Sequence, residues 1–122
     1  METGNTGFEV AEDIPGINAE LCLKRLKGNT ELFGSLLKEF SDEYGDVGDK
    51  IRESLKNGNT EHSIQMSHVI KSIAGDLSAE NLHTASLELE IGIRENSDNT
   101  PYLLDNFENA LAQVLESIRN LE

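Results

Sequence analysis

The sequence predicts an all-α protein, an antiparallel up-down four-helix bundle with an additional short N-terminal helix. Its clearest periodic segment is Leu104, Phe107, Leu111, Val114, Ile118 and Leu121, spaced by alternating steps of three and four as along a coiled-coil seam. Phe33, Leu36, Leu37, Phe40, Tyr44, Val47, Ile51 and Leu55 keep the same rhythm. The composition agrees. With 37% hydrophobic residues, 5% aromatic and no Trp, the core must be filled chiefly by Leu and Ile. No period-two alternation competes, and 122 residues suffice for one bundle-sized core but not for two.

The elements follow in order. Residues 1–13 read as a flexible arm or linker, with Phe8 and Val10 able to lean on the domain, and residues 14–122 as the bundle. The turn Ile14-Pro15-Gly16-Ile17 leads to Asn18, a good N-cap for a first helix from about Ala19 to Lys27 that ends at Gly28. A second helix starts after Asn29 and is expected to run unbroken to about Lys56. Gly45 and Gly48 weaken and bend it, but the apolar rhythm stays in phase across both. Asn57-Gly58-Asn59 is a turn, and Thr60 is expected to cap the next helix. A further helix covers about Ala79 to Asn96, with Leu82, Ala85, Leu89 and Ile93 inward. After the Ser97-Asp98-Asn99 loop, Thr100 and Pro101 open the last one. Helices of this length joined by short turns must be antiparallel neighbours.

Charge and cysteine usage narrow the function. A formal charge of −13 opposes binding to nucleic acid or an anionic membrane and suits a basic or mixed-charge protein partner. A single cysteine, Cys22, cannot build an internal disulfide framework and reads as a packed thiol. No long apolar run or signal-peptide pattern is present, so the expected location is the cytoplasm.

The helix opened by Thr60 carries the candidate site. Met66, Ile70, Ile73 and Leu77 form one apolar stripe, and His68 lies almost opposite it, with Ile64, Lys71, Ser72 and Gly75 on the same outer face. Glycine in a helix interior costs roughly 0.5–1 kcal/mol relative to alanine. Gly75 therefore asks for a reason, and close approach of another molecule is one. An exposed neutral imidazole offers a nucleophilic nitrogen, and Lys71 one turn on supplies a charge to attract a phosphoryl group.

The run His68-Val69-Ile70-Lys71-Ser72-Ile73-Ala74-Gly75-Asp76-Leu77-Ser78-Ala79 resembles the histidine-phosphotransfer (HPt) motif. His68, Ile70, Lys71, Ala74, Gly75, Leu77 and Ala79 match, while Ser72 and Ser78 stand where the family usually has glycine. Ser72 keeps the platform small, and Ser78 can cap the following helix. Ile14-Pro15-Gly16-Ile17-Asn18, the short helix and Gly28-Asn29-Thr30-Glu31-Leu32-Phe33 also resemble the entry of HPt domains appended to bacterial hybrid sensor kinases. The likeness thus spans about residues 14–121.

The resemblance implies a phosphorelay intermediate in two-component signal transduction. His68 would accept a phosphoryl group through Nε2 from the aspartate of a receiver domain and pass it to the aspartate of another. Lys71 would assist electrostatically, and Ile64, Ser67, Ser72 and Gly75 would form the docking surface. The partners implied are response-regulator receiver domains and a hybrid sensor kinase, with the chain itself a monomer. It would be no enzyme and have no cofactor of its own, the Mg²⁺ belonging to the partner receiver. The alternative is a helical docking adaptor that never accepts phosphate, and a third reading is a plain structural bundle.

Other constellations are weaker. Glu80-x-x-His83 is half of a di-iron carboxylate pattern with no second copy, so no metal site is expected, and His83 is placed in solvent at a helix boundary. His62 reads as a partly buried structural histidine. Glu88 and Glu90 read as a solvated face. With no Walker-type or GxGxxG loop, ATP binding is not expected.

Overall fold

The structure, a computed structural model, describes residues 14–121; the N-terminal arm expected over residues 1–13 lies outside them. Six α-helices and no β-strand occur among the described residues: α1 (Ala19–Arg25), α2 (Thr30–Tyr44), α3 (Val47–Lys56), α4 (Thr60–Asp76), α5 (Glu80–Arg94) and α6 (Thr100–Leu121). None is long and apolar enough to cross a membrane.

Local chemistry sets most boundaries as expected. Asn18 and Asn29 cap α1 and α2 by accepting from the amides of Leu21 and Leu32. After α1 the chain turns through Lys27 and Gly28 at positive φ, which lets the Gly28 amide reach back to the Leu23 carbonyl at 2.8 Å. Two expectations are corrected. Asn59, not Thr60, caps α4, because its side-chain Oδ1 accepts from the His62 amide in the first turn. The expected long second helix is two, α2 and α3, broken at Gly45 and Asp46. Gly45 keeps helical dihedrals (φ −60°, ψ −24°) in a place where a β-carbon would stand 2.9 Å from the Ser41 carbonyl, and the backbone departs from the helix at Asp46 (φ −111°, ψ 16°).

The core joins all six helices. Phe33 and Leu37 of α2, Ile51 of α3, Ile70 and Ala74 of α4, Leu82 and Leu89 of α5, and Phe107 and Val114 of α6 are buried. The Leu104-to-Ile118 seam of α6 faces inward as its spacing requires. The α4–α5 pair is the most intimate, followed by α5 with α6 and α3 with α4. Small side chains permit this. Ser63 and Ser67 of α4 and Ser86 of α5 are fully buried, and each hydroxyl donates to the carbonyl four residues back in its own helix, at 3.1, 2.9 and 2.7 Å. On the far side, Gly92 lets Leu103 of α6 press against α5.

The buried face of α4 consists of Ser63, Ser67, Ile70 and Ala74, continued by Leu77 at the C-cap, while Met66 and Ile73 are only half-buried. The helix is therefore rotated from the expected Met66-to-Leu77 stripe toward α5. That rotation decides what stands beside His68.

Candidate functional site

His68 is exposed, its side chain retaining 54% of its accessible surface. Lys71, on the same helix, is partly covered at 22%. Between them, from α5, comes Glu90, whose carboxylate is 7% exposed. Glu90 Oε1 lies 3.3 Å from His68 Nδ1 and 3.5 Å from Lys71 Nζ, and Glu90 Oε2 accepts from Arg94 Nε and an Arg94 terminal nitrogen at 3.2 and 3.0 Å. Burial alone would push this carboxyl up. The donors on Arg94 and His68 and the charge of Lys71 outweigh it and hold Glu90 below the ordinary carboxylate range.

An ionised carboxylate can only accept, so His68 Nδ1 carries the proton and, in the neutral ring, Nε2 carries the lone pair. The imidazole thus turns its nucleophilic nitrogen away from Glu90. The cluster also holds more cation than anion. With His68 neutral, one carboxylate is opposed by Lys71 and Arg94, a local excess of positive charge on a chain of net charge −13.

Glu90 is the residue that sequence reasoning missed, having been assigned to a solvated face. It escapes notice because it stands one position beyond the inward Leu89, where a carboxylate reads as surface. The available signal was Ser86, four residues earlier and small, which marks the flank of α5 that α4 approaches.

The other expected site residues are placed as follows. Ser72 is exposed, and Ile64 and Gly75 are half-exposed on the outer side of α4. Ser67 is not on that face. It is fully buried and bonded to Ser63, so it offers nothing to a partner. The glycine at 75 has an internal reason, because a β-carbon there would lie 3.3 Å from Nδ1 of His83. His83 is half-buried rather than solvated, and its Nδ1 donates to the Lys71 carbonyl at 2.9 Å. His62 is exposed as a residue, with Nδ1 3.0 Å from the Ser54 hydroxyl of α3. Ser78 does not cap α5. Ala79 occupies the cap position, without a side-chain bond, and the Ser78 hydroxyl has no partner.

Cys22 is buried, and burial pushes its thiol up; Arg25 lowers it and Asp76 raises it further. Among the described residues no cluster of three or more His, Cys, Asp or Glu side chains is arranged to hold a metal ion. No family model matches the chain, and neither does any curated protein or solved structure.

Proposed function

We propose that the chain is an HPt-type phosphoryl carrier in which His68 is the acceptor. On this reading α2 with α3, α4, α5 and α6 form the four-helix bundle, and α1 covers one end of it. The observation that carries the proposal is the His68–Glu90 pair: an exposed imidazole whose Nδ1 is tied to a buried carboxylate that two cations share, leaving Nε2 free.

The chemistry follows from that arrangement. Nε2 of His68 attacks the phosphorus of a receiver's aspartyl phosphate; the N–P bond forms as the P–O bond to the aspartate breaks, and the aspartate leaves as a carboxylate. The ring becomes cationic while Nδ1 keeps its proton, and the Glu90 carboxylate faces that charge. The arriving phosphoryl group brings roughly two negative charges, and Lys71 and Arg94, the cations paired with Glu90, would balance them. Metal and acidic pocket come from the receiver. The chain contributes position: one nucleophile, one tautomer and a small-residue surface at Ser72 and Gly75 flanked by Ile64.

The test is transfer from a radiolabelled phospho-receiver in the presence of Mg²⁺, on the wild-type chain and on His68→Gln. Acid-labile, alkali-stable label on the wild type and none on the variant is the expected result. Receivers that bind without transferring label would replace the carrier with a docking adaptor.

A further inference from the structure

Once a phosphoryl group sits on Nε2 of an imidazole, the fate of the N–P bond depends on the other ring nitrogen. When water or a carboxylate attacks the phosphorus, the N–P electron pair returns to Nε2. If Nδ1 holds a proton, the group that leaves is a neutral imidazole. If Nδ1 has lost its proton, the leaving group is an imidazolate anion, and release is far slower. Whatever keeps the proton on Nδ1 therefore decides how long the phosphorylated state lasts.

In this chain the group bonded to that nitrogen is Glu90. Its Oε1 lies 3.3 Å from His68 Nδ1, while Arg94 occupies Oε2 at 3.0 and 3.2 Å and so leaves Oε1 for the ring. A backbone carbonyl or a side-chain amide could accept the same hydrogen bond, but neither carries a charge. A carboxylate favours the protonated, cationic ring by its charge as well as by the bond. The contrast in exposure strengthens this effect, because Glu90 is shielded from water while the ring it faces stands open to a partner. Arg94, His68 and Lys71, the last 3.5 Å from Oε1, keep the carboxylate ionised against its burial.

Taking His68 as the acceptor proposed above, we propose that Glu90 sets the lifetime of the phosphorylated state. It holds the proton on Nδ1 while the phosphoryl group is on Nε2, so the group departs from a neutral imidazole and is released quickly. A chain built this way passes phosphate on and does not store it. In hydrolysis the water oxygen bonds to phosphorus, the N–P bond breaks with its electron pair going to Nε2, Nδ1 keeps its proton, and the water's protons go to phosphate and solvent. Glu90 is a positioning residue, since it acts on the phosphorus only through the ring.

The test is the half-life of the phosphorylated full chain after the donor is removed, followed by ³¹P NMR at neutral pH. One arm uses a phospho-receiver as donor and the other phosphoramidate, a small donor that needs no docking surface. His68→Gln subtracts any signal from His62 and His83. Glu90→Gln should lengthen the half-life about tenfold, the change expected from one unit in the hold on the ring proton, although the same variant slows transfer. A carboxylate that only ties α5 to α4 would alter stability and leave the half-life unchanged. A second measurement needs no variant: ¹⁵N NMR of the phosphorylated wild type should find Nδ1 still protonated above the ordinary imidazole range of about 6.5. Equal half-lives in wild type and Glu90→Gln, or a bare Nδ1 in the wild type, would overturn the proposal and leave His68 as the acceptor. No label on His68 from either donor would overturn the proposed function and this role of Glu90 together.

Discussion

His68 and His83 are two imidazoles at one helix interface, and each has Nδ1 tied to an acceptor on the facing helix. For His68 the acceptor is the Glu90 carboxylate at 3.3 Å, and for His83 it is the backbone carbonyl of Lys71 at 2.9 Å. The bonds fix the same tautomer but differ in what else they do. A carbonyl oxygen is neutral, already belongs to a helix and cannot change charge. A carboxylate carries a charge that two further cations share, so it can answer a change of charge on the ring. The shorter bond therefore clamps α5 to α4, and the longer one, on the proposed function, prepares a reactive group.

The largest effect that separates them concerns the acceptor itself. His68→Gln should abolish acid-labile phosphorylation, whereas His83→Gln should keep it, as read by label retained after transfer from a phospho-receiver. Equal loss in both would erase the distinction.

Next comes the carboxylate. Glu90→Gln preserves shape and one acceptor but removes the charge, and should slow transfer by up to about 100-fold while costing roughly 1–2 kcal/mol in urea unfolding. The corresponding loss for His83→Gln should be in stability alone.

The pH dependence sharpens the same point. Glu90 has a folded-state pKa below its unfolded value, because Arg94, His68 and Lys71 together overcome the upward push of burial. The unfolded chain therefore binds the proton more readily. Stability from this group is fully present above the ordinary carboxylate range and is lost as pH falls through the depressed value. Urea midpoints measured from about pH 6 down to about pH 3 should fall less steeply in Glu90→Gln than in the wild type.

The smallest effect tests the clamp. Gly75→Ala in a helix should gain about 0.5–1 kcal/mol, but the new β-carbon would meet His83 Nδ1 at 3.3 Å. Little or no gain is expected in the wild type and the full gain in a His83→Ala background, a coupling that a double-mutant cycle in urea would measure.

The helical architecture was legible because burial leaves a period in the sequence. The seam from Leu104 to Ile118 points inward as its spacing says, and Asn18 and Asn29 cap because a short acceptor ahead of an apolar rhythm has little else to do. The break at Gly45 and Asp46 was hidden by the same rule, since the apolar phase continues from Phe40 to Val47 while the backbone does not. The orientation of α4 was also hidden. Serine counts as polar in any pattern, yet Ser63 and Ser67 are buried because their hydroxyls are satisfied within their own helix. Reading Ser67 as surface turned the helix away from α5, and with that turn went Glu90. His68 and Lys71 could be singled out one helix at a time. The carboxylate that joins them belongs to a pairing of helices, which one-dimensional spacing does not encode.

The turn at residues 14–17 has a topological consequence. Ile14 and Ile17 are buried, and the Pro15 carbonyl accepts from the hydroxyl of Ser117, 102 residues later and in the last turns of α6. Gly16 packs against the Gln113 side chain of the same helix. The chain thus enters the fold beside the place where it leaves. The first and last described segments therefore share one corner of the molecule, and a single hydroxyl bond ties them together there.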